Sequence, residues 1–131
     1  VSSFQVIAAD HGWDKWGNFP LEQERLYSYI NNSKDVKTII ISGDRHIGGI
    51  YSKKFHDLQL LEITSSSLNK PLHFLVSEND SYQVGDIVTQ ANFGLIKIDW
   101  NSGDVIMELR STRPSSTSSV MKAVLDYKFK L

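Results

Sequence analysis

The run Ile39-Ile40-Ile41-Ser42-Gly43-Asp44-Arg45-His46 constrains this chain more than any other feature. Three β-branched residues in succession give way to Gly, then to a carboxylate, a guanidinium and an imidazole. A nearly continuous apolar run of this length reads as a strand covered on both faces. The polar residues behind it fall at the strand's carboxyl end, where open α/β sheets place ligands. Asp44 and His46 lie two apart, so in an extended turn both can reach one cation or one pair of cations. Gly43 would let the backbone turn sharply or approach a ligand. A loop held by a rigid strand presents such groups at low entropic cost. Taken alone, the same four letters fit equally well an Asp-capped turn with a polar surface histidine.

The rest of the chain fills in a single domain at most, since it has 131 residues and a formal net charge of −1. Near-neutral charge argues against a nucleic-acid partner bound through counterion release. No window is apolar for long enough to span a bilayer, and no signal-peptide pattern stands at the start. Without cysteine there are no disulfides and no thiolate metal sites. Residue 1 is Val, and residues 4–9 already read as a strand, so a fragment with upstream sequence missing is expected.

Residues 20–32 read as an amphipathic helix with Pro20 in its first turn and with Leu21, Leu26, Tyr29 and Ile30 on one side. Residues 36–42 and 58–64 read as strands. Residues 47–51 read as a short helical or irregular piece, and 74–90 as mostly loop with a weak strand near 84–88. Residues 93–100 and 105–110 alternate around Asn101-Ser102-Gly103-Asp104 and predict a hairpin, with Ile96, Ile98 and Trp100 sharing a face. Residues 111–119 are a Ser/Thr-rich loop, and 127–131 a last short strand. The order is β-α-β followed by a mainly antiparallel region, an α/β class.

Other polar groups carry less. His11 is expected to be hydrogen-bonded loop structure rather than a ligand, and His56 and His73 have no supporting neighbours. Trp13 and Trp16 are expected to pack their loop onto the helix. Glu24 and Arg25 are expected to ion-pair on the helix surface, the alternative being Arg25 buried against a loop. Glu62 with Thr64-Ser65-Ser66-Ser67 and Asn69 reads as a hydrogen-bonded loop, because no base stands near to activate a serine. No P-loop, dinucleotide fingerprint, zincin or EF-hand pattern is present.

Four blocks in order carry a resemblance. They are Trp13-Asp14-Lys15-Trp16-Gly17-Asn18-Phe19-Pro20 with Glu24-Arg25-Leu26, then Ile41 to His46, then Glu62-Ile63-Thr64-Ser65-Ser66-Ser67-Leu68-Asn69, and last Asn92-Phe93-Gly94. Over roughly residues 5–100 the chain resembles the C-terminal part of the PhoD-like (alkaline phosphatase D type) metallophosphatases, within the calcineurin-like metallophosphoesterases. The resemblance implies half of an α-β-β-α four-layer sandwich, residues 1–131 being one partial domain. It implies phosphate mono- or diester hydrolysis as the activity of a longer parent. It implies divalent or trivalent metal ions, two or more, with Fe, Ca, Zn or Mn as candidates. By the match His46 is a metal ligand and Asp44 a ligand or its orienter; Arg45 facing substrate phosphate is a weaker inference from its planar fork. It implies a periplasmic or extracellular setting. The family's earlier metal-binding blocks are absent, so the missing N-terminal half or an oligomeric partner would complete the site. The rival reading is a non-catalytic α/β interaction module that lacks a complete metal site.

Overall fold

The computed structural model describes residues 1–33, 36–73, 78–113 and 123–130. The chain is mixed α/β and mostly strand: among the described residues there are two sheets and one α-helix. Helix α1 spans Pro20–Asn32, with Pro at its start and Glu22 in the first turn, where a carboxylate complements the helix dipole. Strands β1 (Ile39–Ser42), β2 (Gly48–Phe55), β3 (Leu58–Ser65) and β4 (Gln83–Val88) form one sheet in the order β1-β3-β2-β4. Only β1 and β3 are parallel within it. Strands β5 (Asn92–Asp99), β6 (Asp104–Ser111) and β7 (Ala123–Lys130) form the second sheet, antiparallel throughout.

Alternation along the central strands splits the core in two. Ile50, Leu61 and Ile63 point toward the second sheet and pack with Met107 and Leu109, while Ile96, Tyr127 and Phe129 close the edges. Tyr51, Leu60 and Ile40 point the other way, to Tyr27 of the helix and to Val6, Ile7 and Ala8. The four-stranded sheet is therefore sandwiched between α1 with the N-terminal segment on one side and the three-stranded sheet on the other.

Four expectations need correction. Residues 4–9 are not a strand, although Gln5, Val6, Ile7 and Ala8 are buried. Side chains take their backbone groups instead of a neighbouring strand: Glu62 accepts from Val6 and Ile7, and the Val6 carbonyl accepts from Tyr27 and Gln23. The β-α-β order thus loses its first strand. Residues 47–51 are not helical or irregular but open β2, a central strand. Its Gly48-Gly49 start masks the strand signal, and the reason for Gly48 is steric: a Cβ there would meet Asn92 Oδ1 at 2.8 Å and Leu109 Cδ1 at 3.0 Å. On α1 the buried residue is Tyr27, with Leu26 and Ile30 partly buried, whereas Leu21 and Tyr29 face solvent. Trp100 sits in the hairpin turn, 79% exposed, rather than on the apolar face.

The other elements match in kind. The helix over 20–32, the strand over 58–65 and the hairpin are present, and a strand covers 83–88. In the hairpin turn Asp99 accepts from Asn101 and Ser102, and Gly103 takes φ 74°. The last strand starts earlier than expected, at Ala123. Most of the 111–119 loop lies outside the described residues, as do positions 74–77 and 131.

Candidate functional site

The Gly-Asp-Arg-His turn sits at the carboxyl end of β1. Its backbone is unusual at two residues: Asp44 has φ 69° and His46 φ 53°. Residues other than glycine rarely adopt this left-handed region, Asp and His being among the more tolerant, and such a conformation, at about 1–3 kcal/mol each, persists only where the surroundings hold it. The sharp bend is thus made at Asp44 and His46, not at Gly43.

What imposes the bend is visible on both sides of it. Arg45, between the two left-handed residues, is 4% exposed. Its guanidinium donates to Gln5 Oε1 at 2.8 Å and ion-pairs with Glu78. Gln5 in turn donates to Thr64 Oγ1 at 3.0 Å, which shares a 2.8 Å hydrogen bond with Ser42. Behind the turn Ile47 is fully buried, and the His46 carbonyl accepts from Leu72 N–H at 2.9 Å. Arg45 is therefore an internal anchor in this structure, and its fork is engaged by protein partners.

His46 is half-buried, and its Nδ1 lies 2.6 Å from the Lys70 carbonyl. A carbonyl can only accept, so Nδ1 carries the proton and Nε2 presents its lone pair. Among the described residues Nε2 has no hydrogen-bond partner. Asp44 is exposed. Among the described residues no three His, Asp or Glu side chains are gathered as a metal site. The donor chemistry of His46 suits a metal ligand, but these residues supply at most one wall of a centre.

Glu62 and the Thr64–Ser67 stretch turn inward as structural groups. Glu62 is fully buried and grips the N-terminal segment through Val6 N–H at 2.9 Å and Ile7 N–H at 2.6 Å. Burial pushes its carboxyl above the ordinary glutamate range, while Ser42 and the backbone N–H groups pull it back. Ser65 and Ser67 bind the buried side chain of Asn92, which also donates to the Val88 and Gln90 carbonyls. These contacts tie the start of β5 to the end of β3.

A second polar cluster lies where the 10–13 loop meets residues 78–83. His11 accepts from Trp13 N–H on Nδ1, and its carbonyl accepts from Lys15. Burial, and then the charges of Arg45 and Lys15, push its imidazole down to about 4. Asp80 accepts the N–H groups of Ala9, Asp10 and Tyr82. Trp13 is 54% exposed and does not pack the loop onto the helix; Trp16 does, and its ring N–H donates to Ser2. Arg25 pairs with Glu22, not with Glu24. His56 and His73 are exposed. Gln5, Glu78 and Asp80 were invisible as site residues in the sequence, because their partners lie tens of residues away.

No protein-family model matches the chain, and no curated protein or solved structure matches it either.

Proposed function

We propose that this chain is the C-terminal part of a metal-dependent phosphohydrolase of the PhoD-like kind, in which His46 with Asp44 holds one cation. The observation that carries the reading is the His46 ring. Its Nδ1 is pinned to the Lys70 carbonyl at 2.6 Å in a strained turn at a strand's carboxyl end. Metal-ligating histidines are oriented by such a hydrogen bond from the other ring nitrogen. Backbone strain of this kind clusters at functional sites. The remaining ligands would come from outside these 131 residues, and the four-layer sandwich and an exported setting belong to the same proposal.

A bound cation would neutralise phosphoryl charge and lower the pKa of a coordinated water. The chain's own contribution is to hold the imidazole and its proton in place. Arg45 anchors the turn, and it would reach a substrate phosphate only by leaving Gln5 and Glu78. The test is metal content together with turnover of p-nitrophenyl phosphate and its bis-ester by the product of the full reading frame and by its His46→Ala variant. Loss of an orienting partner costs roughly 10–100-fold in affinity or activity, so loss of the ligand is expected to cost no less. Unchanged metal content and turnover would remove His46 from the mechanism.

A second reading, a partner-binding module, draws on a groove of about 440 Å³ between the sheets beside β1. Ile41 and Leu68 line it, 41% and 64% exposed. Normal turnover with a variant lacking these apolar groups, combined with loss of a partner, would favour it.

A further inference from the structure

The bend that presents His46 is tighter than a left-handed φ alone implies. Arg45 N–H donates to the Gly43 carbonyl at 2.9 Å, closing a ring over Asp44, whose φ is 69°. A hydrogen bond from residue i+2 to residue i around a positive φ is the rare, strained form of γ-turn. His46 follows at once and is itself left-handed. Such a backbone persists only where the surrounding structure over-determines it. On the far side of the bend the restraints are backbone hydrogen bonds: the His46 carbonyl takes Leu72 N–H, and the Ile47 carbonyl takes Ser66 N–H. Inside the bend the restraint is one side chain, Arg45.

Arg45 ends on two posts. Gln5 is one, tied through Thr64 to Ser42 of β1. Glu78 is the other, and its segment is pinned just beyond it. Asp80 accepts the N–H groups of Ala9, Asp10 and Tyr82, and Asp10 accepts the N–H and hydroxyl of Ser81. The side chain of Glu78 is 9% exposed and that of Arg45 2%. Among the described residues the Glu78 carboxylate has Arg45 as its one hydrogen-bond partner, and Oε2 has none. A buried ion pair gives little net stability, because desolvation offsets its attraction; its attested use is to select one arrangement over others. A carboxylate kept buried for a single guanidinium 33 residues away fits that use. We infer that Glu78 is a positioning residue for the His46 imidazole, acting through Arg45. It draws the guanidinium inward, which closes the γ-turn at Asp44 and sets the next ring against the Lys70 carbonyl. The zinc readout below rests on the cation reading proposed for His46; the metal-free readouts stand without it.

The experiment compares the intact chain with Glu78→Gln by NMR, first without metal and then during a zinc titration. Glutamine keeps the length and one acceptor but not the charge. Without metal, the strong N–H to Hα NOE that a positive φ produces is expected to weaken within Asp44 and within His46. The Nδ1 proton of His46 is expected to exchange faster. With zinc, the Nε2 response of His46 is expected at about tenfold higher concentration, the low end of the loss on removing an orienting partner, while His56 and His73 respond as in wild type. Arg45→Met combined with Glu78→Leu keeps the test alive if Glu78→Gln does not fold. Replacing both members of a buried pair by apolar groups is commonly neutral for stability, so a urea midpoint near wild type is expected together with the same loss of ring signature. Wild-type NOEs, proton exchange and zinc response in either folded variant would mean a structural pair only and would overturn the inference. A lost metal-free signature in Glu78→Gln, with a wild-type His46 that ignores zinc, would uphold Glu78 in this role and overturn the cation reading instead.

Discussion

Glu62→Gln is the substitution that most sharply tests how the N-terminal segment is held. Glu62 Oε1 takes Val6 N–H at 2.9 Å and Oε2 takes Ile7 N–H at 2.6 Å, with Ser42 and the Ala8 N–H also acting on the carboxyl. The residue is fully buried, so water cannot substitute. Glutamine keeps the shape but must place an NH₂ opposite one of those donors. One charge-assisted hydrogen bond is lost, about 1.5–3 kcal/mol, and the facing N–H is stranded at about 1–3 kcal/mol. Removing a buried charge returns part of that through relieved desolvation. The balance is a destabilisation of about 2–4 kcal/mol, or a melting temperature lower by roughly 10 °C for a chain of this size. Urea denaturation followed by tryptophan fluorescence gives the first quantity, and amide exchange at Val6 and Ile7 locates it. An unchanged urea midpoint with both amides still protected would refute the argument that a side chain replaces a strand neighbour here.

Further outcomes follow from the same contacts. Arg45→Met leaves the Glu78 carboxylate buried without its cation; breaking such a pair from one side is expected to cost about 3–5 kcal/mol by chemical denaturation. Gly48→Ala places a Cβ 2.8 Å from Asn92 Oδ1, so overpacking of about 1–3 kcal/mol is expected from the melting temperature. His11, held down to about 4 in the folded state, binds its proton more readily when unfolded. Its contribution to stability is therefore complete above about 6.5 and declines as pH falls from there toward 4. Glu62 works in the opposite sense, because a raised carboxyl favours the folded state at low pH. Comparing wild type with His11→Phe across pH 4–7 isolates the histidine: the variant's stability is expected to lose that decline, and an identical profile would count against a depressed imidazole.

How much of this was legible in sequence depends on whether the signal was local. Helix α1 was legible from Pro20 and the following polar-apolar pattern, and the β5–β6 hairpin from alternation around a turn-forming tetrad. β1 was legible as an apolar run, and with it the position of the Gly-Asp-Arg-His turn at a strand end. The failures share one cause, namely distant partners. Residues 4–9 carry a strand-like composition, yet Glu62, Tyr27 and Gln23 take their backbone groups. β2 starts with two glycines because the other sheet approaches Gly48 closely and the Tyr51 ring lies against Gly49, which no local propensity records. Within the candidate site, His46 and Asp44 were legible as a spaced pair. That Arg45 turns inward was not, since its partners Gln5 and Glu78 are 40 and 33 residues away.

The proposal for function rests on which nitrogen of His46 is free. Nitrogen-15 NMR of the imidazole rings during a zinc titration measures this directly. The account predicts Nδ1 protonated throughout against the Lys70 carbonyl, and an Nε2 resonance of His46 that shifts and saturates at lower zinc than those of His56 or His73. An unprotonated Nδ1, or a His46 ring that zinc leaves unmoved while the exposed histidines respond, would contradict it.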